Sequence, residues 1–309
     1  MKTAIAYFCY NRLNHTKKSL DATLRYKRKL PCYIFSDYWV RKEKKNVISV
    51  RHYIEMVCSE KSIFIIHRNK NYGLAKSIIT GVNHVFNNGY DSIIVLEDDC
   101  IPDANFFDFM LKALKFYETN DKVMHISGFG LPIKRSIKKE YYFSPYPCSW
   151  GWATWRKTWE RCNFEDHNFY KKVLFQQQTK TFFDWSGKSF SNFLYLQVEK
   201  KIDSWLIRWY AYIFKNKGLC LWSSNTKIKN IGFDRTGVHK AYFDRYNQKK
   251  NSQIKKVNFN NDLSLDLKLL NHFSQFFPGP NVVSKLRALL YTMTGIIFTR
   301  IQDMRDYYK

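Results

Sequence analysis

Residues 93–102 read Ile-Ile-Val-Leu-Glu-Asp-Asp-Cys-Ile-Pro, a run of four apolar side chains followed at once by three carboxylates. An apolar run of this length predicts a strand that is buried on both faces of a sheet. The acids that follow it, Glu97, Asp98 and Asp99, repel one another unless a cation or hydrogen-bond donors offset their charge. Oxygen ligands of this kind suit Mg²⁺ or Mn²⁺ held against substrate phosphates, although an ordinary acidic turn after a strand would have the same sequence.

Strand and helix patterns alternate on both sides of this stretch. Short apolar runs at residues 3–10, 32–35 and 63–66 predict three strands before it, and a run at 123–127 predicts another after it. Helical spacing of apolar residues occurs between these runs. The alternation predicts βαβ units and therefore an α/β fold, in which a mainly parallel, Rossmann-like sheet is flanked by helices.

The carboxyl ends of parallel strands meet at one edge of a sheet, and open α/β sheets bind their ligands there. Arg12 and Asp37 follow the first two predicted strands, so we expect them on the same edge as the three acids. Alternation along the strand predicts Glu97 and Asp99 on one side and Asp98 on the other, unless a turn intervenes. Neither GxGxxG nor a P-loop motif occurs, so the sequence does not support a dinucleotide or P-loop site of those kinds.

Tryptophans and one acid stand out further along the chain. Trp152, Trp155 and Trp159 are spaced for one face of a helix, which is more typical of a core than of a ligand site. Trp150 follows two nearby prolines and is predicted to lie in a loop. Asp203 directly precedes an amphipathic pattern, where capping of the helix is the more frequent role of an aspartate.

The composition is that of a globular but strongly basic protein. The 309 residues include 51 Lys and Arg against 26 acids, a net charge of +25, which favours nucleic acid, phosphorylated small molecules or an anionic membrane as partners. The seven cysteines are dispersed without a CxxC pair, which argues against a zinc ribbon and favours the reduced thiols of a cytosol. No uninterrupted run of about 18 apolar residues occurs, so no membrane-spanning helix is predicted.

The composition changes near residue 245, first to Asn, Lys and Gln and then to leucine. We therefore predict a main domain of residues 1–245 and a basic, largely helical extension of residues 246–309. Apolar positions from Val282 to Ile301 follow helical spacing. Such a helix either lies on an anionic membrane surface or packs on the main domain or in a dimer, and the sequence favours neither arrangement.

Six segments in chain order, from about Ala4 to Asp244, resemble glycosyltransferases of the GT-A fold. The likeness is to the N-acetylglucosaminyltransferase I type and to bacterial sugar transferases of surface-polysaccharide clusters. Tyr10-Asn11-Arg12 is similar to that family's first nucleotide-binding turn, and Asp37 stands where the family contacts the pyrimidine base. Glu97-Asp98-Asp99 resembles the family's Glu-Asp-Asp version of the DXD motif.

The remaining segments resemble the family's acceptor side and its closing loop. Residues 149–159 resemble a Gly-Trp segment, which makes Trp150 and Gly151 candidates for contacts with the sugar nucleotide. Ile202-Asp203-Ser204-Trp205 is similar to the Trp-Asp-Asp-Trp element that carries the catalytic base, with Ile in place of the first Trp. Gly232 to His239 resembles the flexible loop that closes over the donor.

The resemblance implies a metal-dependent, inverting glycosyltransferase of polysaccharide synthesis that uses Mn²⁺ or Mg²⁺. Its donor would be a nucleotide sugar, most of all a UDP-sugar, and its acceptor a hydroxyl of a glycan or a lipid-linked saccharide. In this scheme Asp99 binds the metal, Asp98 binds the ribose or a metal-bound water, and Glu97 supports them. Asp203 is the general base, and His239 is either a second metal ligand or a loop residue that contacts phosphate.

Two other functions share parts of the pattern. Sugar-1-phosphate nucleotidyltransferases also combine a βαβ core with acidic metal ligands, but they open with a Gly-rich loop before an Arg, and Tyr10-Asn11-Arg12-Leu13 has no glycine. A nucleic-acid-binding protein is suggested only by the net charge of +25, and no recognised module accompanies it, so no specific nucleic-acid partner is expected. The eukaryotic enzymes' N-terminal anchor is missing, which is a departure from the family pattern. The dispersed cysteines without a signal peptide favour a cytoplasmic protein, either free or at the inner face of the cell membrane.

Overall fold

The computed structural model describes residues 1–134, 137, 139–234, 246 and 257–309. The strands in this part of the chain are β1 (Thr3–Cys9), β2 (Cys32–Ser36), β3 (Ile63–His67), β4 (Ser92–Glu97), β5 (Cys100–Pro102), β6 (Val123–Ser127), β7 (Tyr141–Ser144), β8 (Trp152–Trp155), β9 (Leu219–Ser223) and β10 (Ile228–Asn230). The α-helices are α1 (Leu13–Tyr26), α2 (Lys44–Val57), α3 (Leu74–Asn87), α4 (Phe106–Phe116), α5 (Arg156–Trp159), α6 (His167–Phe175), α7 (Gln177–Phe183), α8 (Phe190–Val198), α9 (Trp205–Lys215), α10 (Leu267–Ser274) and α11 (Val282–Thr294).

Eight of these strands form one mixed sheet in the order β3-β2-β1-β4-β8-β6-β9-β7. β8 and β7 run antiparallel to their neighbours, and the other six strands point in one direction. The predicted α/β class, with a mainly parallel sheet flanked by helices, is therefore confirmed. β5 and β10 pair as a separate two-stranded sheet, which the sequence did not predict because strands of three residues give no periodic signal.

The register of the two central strands sets the position of the acidic turn. β1 is buried along its whole length and β4 is buried up to Leu96, because helices cover both faces of the sheet. In their parallel pairing Phe8 lies opposite Glu97, so the chain leaves both strands at the same level. Residues 10–12 and 98–99 therefore emerge side by side at the carboxyl edge.

α1 and α3 cover opposite faces of β1. The Tyr7 hydroxyl is hydrogen-bonded to the Ser19 hydroxyl of α1, whereas the Phe8 ring packs against Gly81 of α3. A Cβ at Gly81 would lie 2.5 Å from the Phe8 ring, so this close approach requires glycine. Because both helices follow parallel strands, their N-termini and unpaired N–H groups lie at the carboxyl edge of the sheet.

The tryptophan-rich segment is a strand followed by one helical turn, so the predicted single helical face is wrong. Trp152 and Trp155 belong to β8, and Trp159 ends α5. Trp152 stacks on Trp205 of α9 with ring centroids 4.8 Å apart, whereas Trp155 Nε1 donates to the Leu114 carbonyl of α4 at 3.1 Å. Because helices cover both faces of this strand, apolar residues occupy both faces and no period of two appears. All three indoles are buried, as expected for core residues.

The last α-helix ends earlier than its apolar spacing predicts. α11 stops at Thr294 because Gly295 adopts a φ of +76°, a left-handed conformation that glycine reaches without strain. The Gly295 N–H donates to the Tyr291 carbonyl at 2.8 Å and closes the helix. The predicted continuation to Ile301 is therefore wrong.

The first helix of the predicted extension packs on the main sheet. The Phe273 ring of α10 meets the Trp222 ring of β9 edge to face, with centroids 5.1 Å apart. Residue 245 lies outside the described residues, so the division into residues 1–245 and 246–309 stays a prediction. No helix in the described part of the chain is long and apolar enough to cross a membrane.

A buried histidine in β6 makes the fold sensitive to acid. His125 is fully buried beside Trp152, and burial lowers the pKa of its ring to about 3. Trp209 Nε1 donates to its Nδ1 at 3.2 Å, so the proton of the neutral ring is on Nε2, which donates to the Cys148 carbonyl at 3.0 Å. The folded chain therefore requires the neutral ring.

We expect the stability that His125 contributes to be lost as the pH falls below about 6.5. The unfolded chain protonates this ring near its ordinary pKa of about 6.5. The folded chain binds that proton only near pH 3, so stability falls by up to about 1.4 kcal/mol per pH unit between the two values. Urea unfolding of the wild type and of His125→Gln, from about pH 7 to about 4, isolates the effect because the other titrating groups are shared. A stability difference that stays constant with pH would contradict the expectation.

Candidate functional site

The acids after β4 share one guanidinium from the turn after β1. Arg12 Nη2 forms an ion pair with Asp98 Oδ1 and lies 3.0 Å from Asp99 Oδ2. The two carboxylates therefore lie on the same side of the chain, because a turn directly after Glu97 ends the alternation, which is the exception that the sequence analysis allows. The paired ends of β1 and β4 bring Arg12 and the acids together, as the topology predicts.

One cation does not balance three acids at this position. Burial, together with the neighbouring charges of Asp99 and Asp98, raises the pKa of Glu97 to about 8, against the lowering effect of Arg12. Burial also raises the pKa of Asp98, against the lowering effect of Arg12. The group is therefore short of positive charge, which favours the binding of a further cation.

A short segment after β10 covers Asp99. The Ile231 N–H donates to the Asp99 carbonyl at 2.9 Å, and a Cβ at Gly232 would come within 2.5 Å of Asp99 Oδ2. His15 of α1 contacts this segment at two points. Its Nε2 lies 3.2 Å from the Ile231 carbonyl oxygen and 3.1 Å from Asp234 Oδ2. Sequence reasoning missed His15, although it stands three residues after Arg12 in the first turn of a predicted helix and so lies near it.

The carboxylates of the acidic turn are candidate oxygen donors for a metal ion. Within the described residues no group of three or more His, Cys, Asp or Glu side chains is placed to hold a metal ion. Magnesium sites that serve nucleotides commonly use one or two carboxylates and take their other ligands from phosphates and water. Asp99 and Asp98 supply oxygen donors of this kind. His239, the second predicted metal ligand, lies outside the described residues.

Asp37 lies at the end of β2, and its carboxylate organises the neighbouring loop. Its Oδ1 accepts from the Tyr38 N–H at 2.9 Å, and both of its oxygens accept from the Tyr72 N–H at 3.0 Å. Asp37 is buried, so these bonds fix the connection between β3 and α3 against β2. A carboxylate can accept up to about four hydrogen bonds, so the same group can also accept from a nucleotide base.

Aromatic rings and arginines surround Asp37, and sequence reasoning did not single them out. Tyr38 and Trp39 stack with ring centroids 3.8 Å apart, and the Arg51 guanidinium lies 5.7 and 5.6 Å from their centroids. Arg51 Nη2 donates to the Asp37 carbonyl at 3.2 Å and to the Arg68 carbonyl at 2.8 Å. The sequence feature that could have identified this surface is the aromatic pair Tyr38-Trp39 directly after Asp37, which follows a predicted strand. Such a surface suits a flat, polar ring system.

Asp203 caps a helix other than the one it precedes. Ser204 is the N-cap of α9, where its Oγ accepts from the Ile207 N–H at 3.4 Å, so the predicted cap role of Asp203 is wrong. Asp203 Oδ2 instead accepts from the Ala75 N–H of α3 at 3.1 Å. Its Oδ1 lies 3.6 Å from Arg208 Nη2, and its side chain remains 57% exposed. One oxygen of this carboxylate is therefore fixed at a helix N-terminus while the side chain remains open to solvent.

The segment that leads from β3 into α3 binds the carboxylates of both Asp37 and Asp203. The segment from β3 to α3 donates its Tyr72 N–H to Asp37 and its Ala75 N–H to Asp203. Between these two points the Asn71 side chain accepts from the Gly73 N–H at 3.0 Å. These contacts place both acids at the carboxyl edge of the sheet.

Trp150 and Gly151 lie against β10 and the segment that follows it. The Trp150 ring lies edge-on to Phe233, with centroids 5.5 Å apart. Gly151 has a φ of +63°, and a Cβ there would come within 2.5 Å of the Ile228 side chain of β10. Trp150 therefore contacts the segment over Asp99, and Gly151 contacts the strand that precedes this segment.

Comparisons with known proteins give similarities of fold. No protein-family model matches the sequence, and no curated protein matches it. A mannosyltransferase from Pyrobaculum calidifontis, solved with GDP-Man and Mn²⁺, is 12% identical with a TM-score of 0.42 over 69% of each chain. Residues 1–349 of S. aureus TarS are 9% identical with a TM-score of 0.43, over 76% of this chain and 61% of that one. A cytidylyltransferase from Leptospira borgpetersenii is 11% identical with a TM-score of 0.34, over 52% of this chain and 63% of that one. At such distances none of them assigns an activity to this chain.

Proposed function

We propose that this protein is a divalent-metal-dependent glycosyltransferase that moves a sugar from a nucleotide-sugar donor to a hydroxyl of a saccharide acceptor. The observation that carries the proposal is the group of Arg12, Asp98 and Asp99 at the carboxyl ends of the central strands. Two parallel strands deliver a guanidinium and two carboxylates to the edge where such sheets bind nucleotides. Asp203 adds a separate, solvent-exposed carboxylate on the same edge.

In the donor half of the site, one group of residues would bind the metal and the diphosphate, and another would bind the base and the sugar. Asp99, with Asp98, would hold Mn²⁺ or Mg²⁺, which when bound offsets the negative charge that develops on the leaving nucleoside diphosphate. Arg12 holds both carboxylates in position. Asp37 would accept from the imino N–H of a pyrimidine base, which favours a UDP-sugar, and Trp150 and Gly151 would border the sugar beside the segment over Asp99.

The acceptor half of the site depends on Asp203. As general base this carboxylate would take the proton of the attacking hydroxyl, and attack from the face opposite the leaving group inverts the anomeric centre. The Ala75 N–H and Arg208 hold this carboxylate in place at the N-terminus of α3. The acceptor would be a glycan or a lipid-linked saccharide of a bacterial surface polysaccharide, glycosylated in the cytoplasm or at the inner face of the membrane.

A panel of nucleotide sugars tests the proposal directly. We expect a UDP-sugar with Mn²⁺ to raise the unfolding temperature, since a ligand at about 100 times its Kd stabilises a protein by about 2.7 kcal/mol. EDTA should remove most of the shift, and slow release of the free nucleotide should accompany it. The proposal fails if no nucleotide sugar shifts the transition. Pyrophosphate formed from a nucleoside triphosphate and a sugar 1-phosphate would instead identify a nucleotidyltransferase.

A further inference from the structure

The outward face of α11 is apolar and exposed to solvent. Val282, Leu286 and Met293 are 70%, 54% and 71% exposed, and Leu289 and Leu290 are each 43% exposed. Successive residues of a helix are separated by about 100° around its axis, so Leu286, Leu289 and Met293 lie on one side. We call these five side chains the α11 face. An exposed apolar cluster of this size on a globular protein marks an interaction surface.

The opposite side of α11 is fixed to the rest of the protein. Ala288 and Tyr291 are buried, and the Tyr291 ring meets Phe276 edge to face with centroids 5.4 Å apart. The Tyr291 hydroxyl accepts from the Lys134 N–H at 3.2 Å. Lys134 belongs to the loop that follows β6, so α11 rests on the carboxyl edge of the sheet. The helix is therefore held with its apolar face outward.

Positive charge borders this face, and no acid accompanies it. Lys285 and Arg287 stand about 100° away from the middle of the α11 face, one on each side. From residue 267 to residue 302 the chain contains four basic residues and no acidic residue, the basic ones being Lys268, Lys285, Arg287 and Arg300. Long basic side chains beside an apolar strip can lie along it and keep their charges at a polar boundary.

We propose that the α11 face docks on an anionic lipid bilayer, with its apolar side chains among the acyl chains and Lys285 and Arg287 at the headgroups. An apolar strip flanked by cations is the arrangement of helices that lie in the plane of a membrane surface. A second copy of this chain fits less well, because it would bring a net charge of +25 against the same charge. The proposal stands independently of the enzyme activity.

Vesicle flotation of the full-length protein tests this inference. The probe vesicles contain equal parts of phosphatidylglycerol and phosphatidylcholine, and vesicles of phosphatidylcholine alone serve as the neutral comparison. We expect the triple variant Leu286→Ser, Leu289→Ser, Met293→Ser to lose at least about tenfold in partitioning to the anionic vesicles. Since all three side chains point to solvent, the variant should melt at the wild-type temperature.

Matched variants separate docking through this face from general attraction of a basic protein. Met56→Ser with Phe175→Ser removes two side chains that are 73% and 82% exposed elsewhere, and it should leave partitioning unchanged. Lys285→Gln with Arg287→Gln should lower anionic binding at least about fivefold and leave binding to neutral vesicles unchanged. Equal flotation of the triple variant and the wild type would overturn the proposal. A wild-type dimer in sedimentation that the triple variant dissociates would overturn it as well.

Discussion

Asp99→Asn will lower metal-dependent cleavage of the nucleotide-sugar donor by about 10³-fold, a loss of about 4 kcal/mol of transition-state stabilisation. The amide keeps the size and one oxygen of the side chain but removes the charge that a divalent cation needs. The fold should tolerate the change, because Arg12 still pairs with Asp98 and the charge beside Glu97 is reduced. Donor turnover in the presence of Mn²⁺, and the Mn²⁺ dependence of thermal stabilisation by the donor, measure the effect.

Asp108→Asn is the matched control for this experiment. Asp108 is 45% exposed in α4 and pairs with the exposed Arg28, so it loses the same charge away from the acidic turn. We expect turnover and metal dependence to remain at wild-type values. If Asp99→Asn retains turnover within about tenfold of the wild type, the proposed metal role of this carboxylate is wrong.

The acidic edge of the sheet could be predicted from the sequence because its signals are local. β1 and β4 are continuous apolar runs, and a parallel sheet aligns the ends of such strands whatever the details of packing. Glu97 ends β4, Asp98 and Asp99 follow it directly, and Arg12 follows the end of β1 by three residues. Their proximity therefore required only the strand order and the common strand direction.

The partners of Asp203 and His15 could not be predicted in this way. Asp203 caps a helix whose first turn lies 128 residues earlier in the chain, and His15 meets a carbonyl 216 residues later. These contacts depend on how α9 and β10 pack in three dimensions, and no periodicity or spacing encodes that packing. The same limit explains β8, where helices on both faces removed the alternation that identifies a strand.

Asp203→Asn will lower donor turnover by about 10³-fold while donor affinity stays within about twofold of the wild type. An asparagine oxygen can still accept from the Ala75 N–H, so the N-terminus of α3 and the loop that holds Asp37 should keep their positions. What the amide lacks is the ability to take a proton from an attacking hydroxyl or water. Calorimetric titration of the donor and release of the free nucleotide separate binding from turnover.

Glu165→Gln supplies the control that distinguishes a base from an ion-pair partner. Arg208 binds Glu165 Oε1 at 2.6 Å and lies 3.6 Å from Asp203 Oδ1. Each substitution therefore removes one of the two carboxylate charges that face the same guanidinium. If Asp203 acted only by neutralising Arg208, the two variants would lose similar activity, and Glu165→Gln would lose more because its ion pair is shorter. A base requires the opposite order, with turnover near the wild-type value in Glu165→Gln and nearly absent in Asp203→Asn. Equal losses would therefore assign Asp203 to the support of α9 and place the proton acceptor elsewhere.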